Sequence, residues 1–233
     1  MQVVPSIDVE NGRSRIVYWP GAASGAGSPT DRPERIAERF VGMGASLVHL
    51  VDMDGARAGR PVNLEAIGRV ASRVAVPLQV AGGLEGADNV RLAFAAGATR
   101  AVVSMWMADR PAQLADCLAV AGDWLAVGLD VRPGRIGAYP WRRPSPPALV
   151  ELAVELVDAG VRRLILSGGG PSPDPQLLAD LLRNVSAELY LAGGPVELES
   201  IRAVRDGGIA GIILGEPLLS GALDFARALE AAA

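Results

Sequence analysis

The sequence predicts an α/β fold, a (β/α)8 TIM barrel built from two duplicated half-barrels, and three observations predict it. The first is an internal repeat. Pro77 to Ser104 (PLQVAGGLEGADNVRLAFAAGATRAVVS) recurs as Glu188 to Gly215 (ELYLAGGPVELESIRAVRDGGIAGIILG), with Gly82 matching Gly193 and Ser104 matching Gly215. The second is an alternation along the whole chain of apolar runs, about six residues each, with helix-periodic segments. That is the pattern of buried parallel strands joined by helical crossovers. The third is length: 233 residues hold eight such units in a single domain, 1–233, whose halves meet at about 121 and 122. A flavodoxin-like open sheet would leave strands over.

Taken in order, Gln2 to Val9 reads as strand 1, followed by the turn Glu10 to Arg13 and an extended piece from Ser14 to Trp19. The Gly-, Ala-, Ser- and Pro-rich stretch after it is expected to be a mobile loop, a lid or a plain insertion. Pro33 to Gly44 reads as a helix with Thr30 or Asp31 as its cap. Strand 2 is expected over 47–52 with His49 as a packing residue, a helix over 61–74, strand 3 over 77–81 and strand 4 over 100–104. A helix over 110–121 and strand 5 over 124–130 follow. Then come a Pro- and Arg-rich loop, a helix over 148–159 and strand 6 over 163–167. Gly168 to Pro171 breaks the chain. The second copy of the repeat supplies strands 7 and 8, and a helix over 222–232 closes the chain.

Composition excludes several classes. A net charge of −4 argues against nucleic-acid binding. One cysteine excludes an intramolecular disulfide, and one histidine rules out a His-rich metal site; no metal is expected. No apolar run reaches membrane-spanning length, and the first residues lack a basic signal-peptide start, so a cytoplasmic protein without a membrane partner is expected.

Two features carry chemistry. The Gly82-Gly83 and Gly193-Gly194 turns end strands and open helices, where bare amides can cradle an anion, most often phosphate. The competing reading is a tight turn whose glycines permit close packing. Asp8 and Asp130 end strands 1 and 5, the equivalent first strands of the two halves, which lie opposite one another in an eight-stranded barrel. Carboxylates facing across the mouth suit proton transfer at a sugar carbon. Aspartates at strand ends also cap turns.

Several stretches together resemble the ProFAR isomerase family of histidine biosynthesis, including its bifunctional phosphoribosyl isomerases. They are PSIDVENGR, HLVDMDGARAGRPVNLEAI, PLQVAGGLEG, AVGLDVRPGRI with Trp141 beyond it, and the closing AGG and LG turns. The resemblance runs over essentially the whole chain. It implies a (β/α)8 barrel, no cofactor, and an Amadori rearrangement of an aminoaldose to an aminoketose on a phosphorylated small molecule. By position it makes Asp8 the base for the C2 proton and Asp130 its acid–base partner, with Ser167 in place of the family's threonine. Trp141 would stack on the substrate's imidazole. Arg15, one place before the family's arginine, and Asp52 are substrate-side candidates, Asp52 being equally a turn former. Gly82, Gly83, Ser104, Gly193, Gly194 and Gly215 would hold two phosphates.

The departures are local. Ser104-Met105-Trp106 stands where the family has Gly-Thr-Ala, and Gly215-Glu216-Pro217 where it has Gly-Arg-Ala. Glu85 replaces an arginine, and the stretch from Gly168 to Pro173 replaces an Asp-Gly-Thr loop. Two alternatives therefore stand beside the family's reaction: an isomerase or binder of a singly phosphorylated sugar or nucleotide, and a non-catalytic barrel. A monomer is expected.

Overall fold

In a computed structural model the chain is described over residues 1–16, 30–130, 146–168, 174–194 and 196–233. Eight strands follow one another around a closed barrel. They are β1 (Gln2–Glu10), β2 (Val48–Asp52), β3 (Leu78–Ala81), β4 (Arg100–Ser104), β5 (Leu125–Asp130), β6 (Arg163–Ser167), β7 (Glu188–Ala192) and β8 (Gly211–Leu214). Neighbours pair in parallel, and β8 returns to β1 to close the ring. A two-residue strand, Arg13–Ser14, folds back antiparallel on the end of β1.

The connecting helices are α1 (Pro33–Gly42), α2 (Met53–Ala58), α3 (Leu64–Ala71), α4 (Ala87–Ala95), α5 (Pro111–Ala121), α6 (Pro146–Asp158), α7 (Pro175–Asn184), α8 (Leu198–Asp206), α9 (Glu216–Leu219) and α10 (Phe225–Ala232). A 3-10 turn, Met105–Asp109, follows β4.

Alternation along each strand sorts side chains into two environments. Val3, Ile7, Val48, Leu50, Leu78 and Val80 are among those that point outward, into the layer between barrel and helices. Val4, Leu47, Val102, Ala126, Ile165, Tyr190 and Ile213 point inward and make a separate buried cluster, the barrel's central plug. Both faces of every strand are therefore buried, which is why the strands read as continuous apolar runs.

Near the strands' starting ends the interior is polar. The Gln79 amide nitrogen lies 2.9 Å from His49 Nδ1, and its oxygen accepts from Arg100 Nη1 at 3.0 Å. An amide nitrogen only donates, so the imidazole proton sits on Nε2. The Arg100 guanidinium lies 5.7 Å from the Tyr190 ring, and the Tyr190 hydroxyl donates to Gln2 Oε1 at 2.8 Å. Burial, with the Arg100 charge second, holds the His49 pKa down at about 4. His49 is the packing residue its position predicts.

Two expectations need correction. The helix expected over 61–74 is α3, starting only at Leu64, and a separate short helix, α2, precedes it. The cause is Asp52, whose carboxylate captures the Val62 and Asn63 amides before they can enter a helix. Neither Thr30 nor Asp31 caps α1. The cap residue is Arg32, whose amide donates to Thr30 Oγ1 at 3.2 Å, while Asp31 pairs with Arg13 and its carbonyl accepts from Ser14. The expected loop before α1 falls on 17–29, outside the described residues.

Candidate active site

Above the plug, six strands carry a further inward-facing residue. Asp8, Ala81, Ser104, Asp130, Ser167 and Ala192 are all partly exposed, whereas the plug residues beneath them are buried. They form the bottom of an open mouth at the strands' C-terminal ends. Asp8 and Asp130 share this level on β1 and β5, four strands apart whichever way the ring is followed. The two carboxylates thus arise from opposite walls of one opening.

Asp8 has a pKa raised above the ordinary carboxylate value by burial, with the charge of Arg15 opposing the rise. The reason Arg15 reaches it lies in the hairpin. Val9 pairs with Ser14 and Glu10 with Arg13, so Arg15 comes opposite Asp8, and its amide donates to the Asp8 carbonyl at 2.8 Å. Residues directly opposite in an antiparallel pair share a face. Arg15 therefore belongs to the mouth, and Ile16 packs against the outer core.

Asp130 stands beside Ser167 in the β5–β6 register, and its amide donates to Met105 Sδ at 3.3 Å. Ser167 Oγ lies 3.5 Å from the Leu129 carbonyl oxygen, so its hydroxyl is only loosely held.

Asp52 takes the structural role of its two readings. It is fully buried, and its carboxylate accepts from Gly55 N (2.7 Å), Val62 N (2.7 Å), Asn63 N (2.9 Å) and Asn63 Nδ2 (2.6 Å). Nothing of it is left for a substrate. Asn63 also donates to Asp54 Oδ2 at 2.8 Å and accepts from Gly12 N at 2.8 Å, while Asn11 N donates to Asp54 at 2.7 Å. The loop after β2 thereby fixes the turn after β1. Asn63 is a site-organising residue that its place at the end of an Arg-Pro-Val-Asn run does not disclose.

The two Gly-Gly turns differ. A side chain at Gly82 would come within 2.1 Å of the Asp52 carbonyl oxygen, and one at Gly83 within 2.5 Å of the Arg60 backbone. Both have positive φ, 100° and 75°. This turn needs glycine for close packing. At Gly193 (φ 71°) nothing among the described residues stands within 4 Å of the position a Cβ would take, although Gly194 is buried. Gly215 lies against Ser6 and opens α9. Beyond Ser104, Trp106 packs against the outer layer with the Arg110 guanidinium 4.3 Å from its ring. Glu85 meets Gly59 and feels the Arg110 charge; burial raises its pKa, and Arg110 lowers it.

Trp141 and Gly169 to Pro173 lie outside the described residues.

A family model described as histidine biosynthesis protein matches residues 2–224. The isomerase of Roseiflexus castenholzii, named for an imidazole-4-carboxamide carrying two phosphoribosyl groups, is 32% identical over 236 residues, covering 99% of both chains. The chain belongs to the ProFAR isomerase family. The same enzyme of Chloroflexus aggregans is 30% identical over 237 residues, across 100% of this chain and 98% of its own. That of a Synechococcus strain is 34% identical over 242 residues, across 99% and 93%. No helix among the described residues is long and apolar enough to cross a membrane.

Proposed function

We propose that the protein is an isomerase of ProFAR, converting its aminoaldose ribose to the aminoketose by an Amadori rearrangement. The observation that carries this is the placement of Asp8 and Asp130 on opposite walls of one barrel mouth, in a chain of the ProFAR isomerase family. In the reaction, opening the sugar ring requires a proton on the ring oxygen as its bond to C1 breaks, leaving an iminium. Asp130 supplies that proton. The Asp8 carboxylate then takes the C2 proton, and the enolamine so formed becomes the aminoketose when C1 gains a proton and the C2 hydroxyl gives one up. Partial burial suits Asp8 to the base role, because a desolvated carboxylate holds a proton more tightly than one in water. Ser167, beside Asp130, donates to the substrate, and Arg15 balances the charge at Asp8. Gly193, Gly194, Ser104 and Gly215 offer phosphate contacts at two sides of the mouth.

The test is turnover of ProFAR by the purified protein, with Asp8→Asn as control. Activity lost in the variant supports the proposal, and an inert wild type refutes it. A specific observation favours a second reading, a ligand with one phosphate: the Gly82-Gly83 turn packs closely against the backbone of Asp52 and Arg60, while nothing among the described residues crowds Gly193. Turnover of singly phosphorylated sugars or ribonucleotides in preference to ProFAR would select it.

A further inference from the structure

We propose that Glu10 is a positioning residue for the reaction: gripped from outside by Arg57, it sets how closely the Arg15 guanidinium approaches the Asp8 carboxylate. This rests on the proposed role of Asp8 as base. Glu10 follows Asp8 by two residues on an extended strand, so both side chains leave the same face. Its two oxygens meet two different arginines. Arg57 Nη2 pairs with Oε1, and Arg15 Nε stands 3.5 Å from Oε2.

Arg57 is itself anchored, with Nη1 3.2 Å from Asp54 Oδ1, and the other Asp54 oxygen holds Asn11 and Asn63. Arg15 therefore stands between two carboxylates, one fixed by α2 and one aimed into the mouth. What Glu10 draws towards itself is withdrawn from Asp8.

Among the described residues, the surroundings of Asp8 leave few other charges to answer for its state. β2 presents Val51 at its level, then Asp52, whose carboxylate is spent on Gly55, Val62 and Asn63. α2 brings Asp54 and Arg57, the end of β8 leads to Gly215 and Glu216, and Asp130 lies across the mouth. α1 and α10 pack on the opposite face of β1, against its apolar residues. Burial raises the Asp8 pKa and Arg15 is the charge that lowers it.

The test reads Asp8 directly, by carbon-13 titration of labelled aspartate carboxyls, with its resonance assigned from Asp8→Asn. Glu10→Gln releases Arg15 to Asp8 and moves the titration down by about half a unit or more. Arg57→Gln leaves Glu10 free to take Arg15 and moves it up. Both responses vanish in an Arg15→Met background, as a double-mutant cycle shows when one residue acts through another. A Glu10→Gln shift that persists undiminished without Arg15, or no shift in either single variant, overturns the proposal.

In turnover, Glu10→Gln lowers kcat and moves the acid limb of the pH profile down with KM little changed. The titration needs no turnover. An inert wild type would therefore refute the catalytic role of Asp8 and still leave the coupling through Arg15 decided.

Discussion

A carboxylate held partly out of water destabilises the chain that carries it, and Asp8 shows this most directly. Its raised pKa means the folded state favours the protonated form. The stability from that form is full below the ordinary carboxylate value of 3.8 and is lost as pH rises through the folded value. Asp8→Asn, neutral at every pH, escapes the loss. Calorimetry should find the variant more thermostable than wild type at pH 7 to 8, with the gain fading as the pH approaches 4. Activity should move the other way, with kcat lower by about 10² to 10⁴-fold, the usual reach of one general base. Arg15 makes a different point at this scale. Counting along the chain sets it one place from the family's arginine and so on the wrong face of an extended segment. The hairpin register, which no spacing rule supplies, puts it opposite Asp8.

At the scale of elements, the turn after β3 and the turn after β7 are alike in sequence and unlike in what they bear. Gly82→Ala drives a methyl into the Asp52 carbonyl and should prevent folding or cost several times the roughly 1–2 kcal/mol of a left-handed non-glycine residue. Gly193→Ala has open space and should cost only that smaller amount, while KM rises if its amides hold phosphate. Urea titration of both variants gives the comparison. Asp52→Asn sets an amide group against donors that the carboxylate satisfied, and should destabilise by about 3 kcal/mol.

The strands were legible because apolar runs buried on both faces are short, and turn residues bound them. The segment from Met53 to Asn63 was not, because its path is dictated by four hydrogen bonds to one buried carboxylate rather than by propensity. The site was legible only as strand-end chemistry. Asp8 and Asp130 declare themselves by ending equivalent strands, whereas Asn63, Glu10 and Arg57 matter through partners distant in sequence.

Across the whole molecule, the only histidine lies within the barrel, beside Gln79 and under the influence of Arg100. Its folded pKa of about 4 lies below the ordinary 6.5, so the stability it contributes is complete above 6.5 and lost as pH falls towards 4. The total is on the order of 3 kcal/mol. Nitrogen-15 spectra of the single imidazole should show a neutral ring, protonated at Nε2, persisting at pH 5.5. His49→Leu should remove this acid sensitivity and leave the Gln79 amide without its acceptor.

The plug of Val4, Leu47, Val102, Ala126, Ile165, Tyr190 and Ile213, underlain by Gln79 and Arg100, gives the barrel a sealed base. It is a cup, not a tube. Arrivals and departures share one doorway, so a bound product and an incoming substrate exclude one another, and inhibition by product should be purely competitive.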